Sequence, residues 1–185
     1  TGPKSHGWWA LNTLMVVIGM IGFMAVFAYL YLYGINPDVW SAPPPLGETA
    51  IIVGIEAAAL LAAWGGRRFL ASKEGRLAED LPWMLEALAA TLLVGALYLD
   101  VTGWLATGLE PTANGMGATV FMLSVLQGQV VVVAVIMATY LAFREARGIM
   151  TTPTNVTMDI VARFIMFCAL QGMVFTFLPR VFPGV

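Results

Sequence analysis

The sequence predicts an all-α integral membrane protein built as a bundle of five transmembrane helices. Of its 185 residues, 59% are hydrophobic and only 11% are charged, whereas soluble domains average roughly 45 to 50% apolar and about 25% charged residues. Apolar runs of about 20 residues, long enough to cross a hydrocarbon core of roughly 30 Å as helices, recur along the chain. We see neither a repeat nor a separate soluble segment, so residues 1–185 are predicted to form a single membrane domain.

The predicted spans are separated by short connections that contain helix-breaking residues. The first connection, 34–48, contains three successive prolines, which cannot continue a helix. Asp80 followed by Pro82 is typical of a helix N-terminus and predicts the start of the third span. The five spans are expected near residues 9–33, 49–66, 81–106, 117–143 and 157–178.

The positions of the basic residues predict how the bundle is oriented. Cytoplasmic loops of membrane proteins carry an excess of Lys and Arg, and with five spans only Arg180 lies on the side opposite the N-terminus. We therefore expect a multi-pass protein of the bacterial inner membrane, with a cytoplasmic N-terminus and a periplasmic C-terminus. The basic residues on the N-terminal side are Lys4, Arg67, Arg68, Lys73, Arg76, Arg144 and Arg147.

The chain offers few groups for metal, redox or catalytic chemistry. Its only histidine, His6, precedes the first span, and its only cysteine, Cys168, lies inside the fifth and is interpreted as a packing residue. Haem and copper in membrane proteins are usually held by histidines within the membrane. The sequence therefore predicts no cofactor, metal site or catalytic residue in this chain, and its net charge of −2 argues against nucleic acid as a partner.

The second span carries small residues at every fourth position. Gly54, Ala58, Ala62 and Gly66 share one face of a helix. Because close approach through small residues is a main source of helix association in lipid, this ladder is a candidate packing face. The neighbouring helix can belong to this chain or to a partner subunit, and the spacing does not distinguish the two.

Two acidic residues within the spans are candidate lipid-contacting or proton-related groups. Glu56 lies about 200° around the helix from Gly54 and needs a partner or a water-filled cleft. It is either a structural carboxyl hydrogen-bonded between helices or a site for a proton or a lipid headgroup. Asp100, near the outer end of the third span, is either an interfacial acid exposed to water or a contact for a partner subunit or lipid amine.

Other polar residues in the spans are interpreted as structural. Asp159 and Arg163 are four apart and predict an ion pair on one helix face. Glu86 is expected in the first turn or two of the third helix, where the helix dipole favours an acid. Gln127 and Gln129 lie deep in the fourth span and are expected to form interhelical hydrogen bonds.

The segment that begins at Gly108, GLEPTANGMGATVFMLSVLQGQVV, resembles a known family motif. Without gaps it is similar to G-L-x-P-x-x-N-x-x-G-S-x-F-F-x-x-T-x-x-H-G-x-H-V, which is typical of cytochrome c oxidase subunit III. Gln127 and Val130 replace the two histidines of that pattern. The shared positions are Gly108, Leu109, Pro111, Asn114, Gly117, Phe121 and Gly128.

The resemblance extends over about four-fifths of the chain and fits the five-helix form of subunit III. The segment that begins with Thr49-Ala50-Ile51 and includes Trp64 resembles the family's N-T-A-I-L-L-L-S-S-V-T-x-H-W helix. Arg147-Gly148, after the fourth span, matches the family's basic, glycine-ended turn. Two departures bear on mechanism. The first span of the five-helix form usually carries a buried Glu, whereas residues 10–28 here contain no acid. The last span here lacks the family's Y-W-H-F-V-D string.

This resemblance implies a non-catalytic accessory subunit of a haem-copper terminal oxidase, either a cytochrome c or a quinol oxidase. Such a subunit would pack against the haem-bearing catalytic subunit I, assemble with subunit II and hold phospholipids, while haem and copper remain in the partner subunits. An accessory subunit of a nitric oxide reductase is a closely related alternative. The alternative from another class is a small proton-conducting or transporter protein that uses Glu56 and Asp100.

Overall fold

The computed structural model describes residues 6–71, 77–148 and 156–182, and these residues form a helical bundle. No strand occurs in the described ranges. A 3-10 turn, Pro37–Val39, lies in the proline-rich connection between the first two helices. The helices are α1 His6–Ile35, α2 Leu46–Ala71, α3 Leu77–Ala106, α4 Gly115–Ala146 and α5 Val156–Val181.

All five helices are long and apolar enough to cross a membrane. The shortest candidate span, Leu46–Phe69, has 24 residues, which corresponds to roughly 36 Å of helix. Each predicted span falls inside one of the helices. The expectation of an all-α, multi-pass membrane protein is therefore confirmed.

The helix α5 lies at the centre of the bundle and α1 at its edge. α5 contacts all four other helices, whereas α1 packs mainly on α4 and α5. The core between α2, α3, α4 and α5 consists of small and aliphatic side chains with one large aromatic, Phe164. Large apolar side chains on the outer faces, such as Phe23, Met24, Val132 and Ile136, are exposed, as expected of residues that face lipid.

The third helix begins earlier than the sequence predicts. α3 starts at Leu77, and Pro82 lies inside it rather than in its first turn. Residues 77–79 are Leu, Ala and Glu, all favourable helix formers, and they extend the helix by about one turn. Glu86 is consequently the tenth residue of α3, so its expected position in the first turn or two is wrong.

The segment that carries the family resemblance forms the turn between α3 and α4. Gly108 has a φ of +77°, a conformation that favours glycine. The side chain of Asn114 caps α4 by accepting a hydrogen bond from the Gly117 backbone N–H at 2.8 Å. A Cβ at Gly117 would collide with the backbone carbonyl of Glu110, so glycine is required there too.

The small-residue ladder of α2 is not its internal packing face. Gly54 and Ala58 are exposed, Ala62 is half-buried, and only Gly66 of the four is buried. At Gly66, an added Cβ would lie 3.0 Å from the Pro82 carbonyl oxygen. Of the two alternatives left open by the spacing, packing within this chain does not hold for Gly54 and Ala58. The buried stripe lies one position beyond the ladder at Ala59 and Ala63 and coincides with it at Gly66. It contains Thr49, Ile52, Glu56, Ala59, Ala63 and Gly66.

We predict that Ala59→Leu or Ala63→Leu destabilises the isolated chain by about 1–3 kcal/mol, the usual effect of overpacking a close helix contact. Both alanines are fully buried between helices. Ala58→Leu, one position away and exposed, is the matched control and should leave stability unchanged. Thermal unfolding in mild detergent measures the effect, and equal midpoints for all three variants would contradict the assigned face.

Candidate functional site

The half of the bundle nearer the C-terminus of α5 contains a group of inward-facing polar side chains, which we call the polar cluster. They come from four helices, and all except the half-buried Gln171 are buried. Buried polar groups at this depth need partners within the protein. The polar cluster consists of Glu56 on α2, Asp100 on α3, Ser124 and Gln127 on α4, and Gln171, Thr176 and Arg180 on α5.

An ion pair between Arg180 and Asp100 joins α5 to α3. The Arg180 Nη2 lies 2.9 Å from Asp100 Oδ1, and the arginine side chain has no exposed surface. The same nitrogen donates to the Asp100 backbone carbonyl at 3.3 Å, and Ser124 donates to Asp100 Oδ2 at 3.2 Å. The expectation that Asp100 is an interfacial acid exposed to water is therefore wrong, because the arginine provides a buried partner.

Sequence reasoning missed Arg180, which it treated only as a marker of orientation. Its guanidinium lies 5.3 Å from the centre of the Trp104 ring, within the range of a cation–π contact. The signal that could have identified Arg180 is Asp100, an opposite charge on another span near the same side of the membrane. Gly103 makes room for the arginine, since an added Cβ would lie 3.1 Å from Arg180 Nη2 and 3.4 Å from the carboxylate of the exposed Glu48.

Glu56 lies deeper than the ion pair and is only 3% exposed. Thr176 donates a hydrogen bond to its Oε1 at 3.4 Å, and both Asp100 and Arg180 act on it electrostatically. A Cβ at Gly172 would collide with the Glu56 carboxylate and approach the Gln127 amide nitrogen to 2.8 Å. The glycine on α5 thus provides the space for both side chains, and Glu56 points away from the exposed Gly54 as predicted.

Gln127 forms the deepest part of the polar cluster. It donates to the Cys168 backbone carbonyl at 3.0 Å and accepts from Gln171 at 3.5 Å, which confirms its interhelical role. Gln129 is exposed on the outer face of α4, so the same expectation is wrong for it. Cys168 is buried and its thiol donates to the Val130 carbonyl at 3.7 Å, in agreement with a packing residue.

Aromatic side chains cover the polar cluster on the side of the C-terminus. Tyr29 donates to the Pro179 carbonyl at 3.4 Å, and the indole N–H of Trp40 donates to the Tyr29 hydroxyl at 3.0 Å. Tyr29 and Trp104 are almost completely buried. The connection between α1 and α2, which carries Trp40, is thereby fixed over the end of α5.

An apolar layer separates the polar cluster from the other side of the bundle. Ala59 and Ala63 on α2, Leu93 on α3 and Phe164 on α5 belong to its buried core. Along α2, Glu56 and Gly66 are ten residues apart, or roughly 15 Å, and the layer lies between these two levels.

Beyond this layer lies Glu86, which is only 1% exposed. An added Cβ at Gly66 would lie 2.9 Å from its Oε1, so this acid faces α2. Its structural role stays a prediction, and the dipole at a helix start is not the reason for its position, because the residue is well inside α3.

A second ion-pair group lies at the N-terminal end of α5. Asp159 accepts from Arg163 at 2.8 Å, as predicted, and also from Arg67 of α2 at 2.6 Å. These side chains are about a third exposed, unlike the Asp100–Arg180 pair. Lys4, Lys73 and Arg76, which contributed to the predicted orientation, lie outside the described residues.

Comparison with protein-family models and with curated proteins finds no match to this sequence. Within the described ranges, no group of three or more His, Cys, Asp or Glu side chains is placed to hold a metal ion. His6 is exposed at the start of α1. The polar cluster is accordingly the candidate functional site, and the chemistry available in it is that of carboxyl, hydroxyl, amide and guanidinium groups.

We predict that Asp100→Asn destabilises the chain by about 3–5 kcal/mol, because it leaves the buried Arg180 without its charged partner. Asp159→Asn is the matched control, since its partners are partly exposed and such pairs contribute about 0–1 kcal/mol. Unfolding in detergent measures both variants. Similar losses of stability in the two would contradict the assignment of Asp100–Arg180 as the dominant ion pair.

Proposed function

We propose that this chain is a non-catalytic accessory subunit of a haem-copper terminal oxidase in the bacterial cytoplasmic membrane, related to subunit III. In this role it packs against the haem-bearing subunit I, assembles with subunit II and holds phospholipid. The haem and copper belong to the partner subunits, and the oxidase takes electrons from cytochrome c or quinol. The proposal rests on the resemblance of the segment that begins at Gly108.

The turn between α3 and α4 is the observation that carries this proposal. Three of the resembling positions have a specific geometric role: Gly108 takes a positive φ, Asn114 caps α4 and Gly117 abuts the Glu110 carbonyl. A match at such positions is more informative than a match of apolar residues, because other residue types would disturb the turn. The five-helix architecture is also compatible with the short form of subunit III.

The outer face of α2 suits a close contact with a partner helix. Gly54 has no atom within 4 Å of the position of an added Cβ, and Ala58 is exposed next to it on the same face. Small residues allow two helix backbones to approach closely in lipid. We assign this face to the contact with the catalytic subunit.

The proposed orientation places the N-terminus in the cytoplasm and the C-terminus on the periplasmic side. Among the described residues, Arg68, Arg144 and Arg147 lie at the helix ends on the N-terminal side, each over an aromatic ring. Arginine held over aromatic side chains at helix ends is typical of a membrane interface, and its concentration on one side favours the cytoplasm.

A proton-conducting or transporter protein is the second candidate, and the buried Glu56 and Asp100 favour it. Conduction, however, requires a polar route across the whole membrane, and the polar cluster ends at the apolar layer. The accessory role needs no such route. An accessory subunit of a nitric oxide reductase likewise needs no polar route across the membrane, and it differs from the oxidase subunit only in its partner.

We predict that the chain co-isolates with a haem protein from native membranes in mild detergent, whereas the isolated chain shows no stoichiometric Soret absorption. Ala58→Leu should weaken this co-isolation without altering the stability of the isolated chain, because only the partner contact is changed. Gly108→Ala strains the turn between α3 and α4 without changing that face. It is the control that shows how far misfolding alone reduces assembly. A Soret band in the isolated chain, or its recovery as a lone oligomer, would refute the accessory role.

We further predict that Glu56→Gln leaves the initial electron-transfer rate of the assembled complex nearly unchanged, because glutamine retains the hydrogen-bonding shape next to Thr176. The effect should be faster loss of activity during prolonged turnover or after delipidation. Initial rate and inactivation half-life are measured side by side. An immediate large loss of rate would instead favour the proton-conducting candidate.

A further inference from the structure

The polar cluster contains more buried polar atoms than its own hydrogen bonds satisfy. Six buried side-chain nitrogen and oxygen atoms lack a hydrogen-bond partner within the described ranges, and four of them belong to Glu56, Gln171 and Arg180. They are Glu56 Oε2, Gln171 Oε1 and the Nε and Nη1 of Arg180. Leaving each such atom unpaired costs about 1–3 kcal/mol, so internal water is the natural partner for a group of them.

The charges of the polar cluster do not balance. The charged groups that act electrostatically on Glu56 are Asp100 from α3 and Arg180 from α5, while α4 contributes only the uncharged Ser124 and Gln127 to the polar cluster. The arginine is paired with Asp100 at 2.9 Å. One positive charge therefore opposes two carboxyl groups, and the addition of one proton would make the group neutral.

The charged part of the polar cluster lies nearest the surface at the Asp100–Arg180 pair, where the Asp100 side chain is 11% exposed. The side chain of Glu48 is exposed at the start of α2, and its carboxylate and the guanidinium of Arg180 both approach the position of an added Cβ at Gly103. The absence of a side chain at Gly103 thus lets the exposed Glu48 carboxylate lie beside the buried ion pair. In the other direction, the apolar layer that includes Leu93 and Phe164 follows directly.

We infer that Glu56 is a reversible proton-binding site that exchanges with the aqueous phase on the side of the C-terminus, past Glu48, Gly103 and the Asp100–Arg180 pair. The proton comes from water on that side and adds to a carboxylate oxygen of Glu56, and no other bond changes. The site is closed towards the N-terminal side by the apolar layer. It binds protons without conducting them, and this holds independently of the oxidase partner.

The carboxyl site can be tested by infrared spectroscopy of the full chain in lipid bilayers. The C=O stretching band of a protonated carboxyl group should appear on acidification and shift when H2O is replaced by D2O. Glu56→Gln should abolish the pH-dependent component, while Glu86→Gln, which alters the buried acid beyond the apolar layer, should retain it. A pH-dependent band that survives unchanged in Glu56→Gln would overturn the inference.

The access route is tested by the rate at which the C=O band of Glu56 shifts after H2O is replaced by D2O. Gly103→Leu should slow it by about tenfold, which corresponds to a barrier raised by about 1.4 kcal/mol, because the added side chain crowds Arg180 and Glu48 at this point of the proposed route. Gly95→Leu is the matched control on the same helix, since nothing lies within 4 Å of an added Cβ there, and it should exchange like the parent. Equal rates in these two variants would exclude the route.

A further variant guards against misfolding of Gly103→Leu. Glu48→Gln changes only an exposed side chain at the mouth of the route, so the fold should be retained. We expect slower exchange at Glu56 in this variant, because the carboxylate that would relay the proton is removed. Normal exchange in a folded Glu48→Gln protein would show that protons reach Glu56 by another path.

Discussion

The buried ion pair between Arg180 and Asp100 is the interaction on which the rest of the bundle depends. Moving two charges out of water costs several kcal/mol for each ion, and this cost is offset only when the geometry of the pair is maintained. The pair therefore fixes the register of the central helix α5 against α3. Ser124 extends the same constraint to α4 by its hydrogen bond to Asp100, and Thr176 extends it to α2 through Glu56. In lipid, where apolar contacts alone give little specificity, such polar contacts select one arrangement of helices.

Small residues have two separate roles in this molecule. Gly103 and Gly172 lie where the guanidinium and carboxyl groups need volume, and a methyl group at either position would meet a polar atom of the cluster. Gly54 and Ala58, by contrast, face outward with free space around them. The first role serves the interior of this chain, and the second, a close contact with a partner helix, is the one proposed above. Equal spacing in the sequence therefore does not imply an equal role in packing.

The number and position of the helices could be predicted because a long apolar run directly reports a membrane-spanning helix. The faces of the helices could not, since a helix in lipid is apolar on nearly every side and its periodicity carries little information. For α2 the sequence contained two small-residue stripes, and only the polar Glu56 distinguishes the buried one. Asp100 and Arg180 were misjudged for the same reason: each lies near a helix end, where water is the ordinary partner of a charge. Recognition of the pair requires the proximity of α3 and α5, which follows from the three-dimensional packing alone.

The asymmetry of the bundle limits what its acidic groups can do. Glu56 and Glu86 lie on opposite sides of the apolar layer, and a proton cannot pass between them through alanine, leucine and phenylalanine side chains without a change of structure. With Glu56 as the inferred proton site, the bundle takes up and releases a proton on one side without carrying it across the membrane. That property is consistent with the proposed accessory role, because an accessory subunit with a continuous polar route would let protons leak across the membrane. For the proposed function, the apolar layer is therefore as important as the polar cluster.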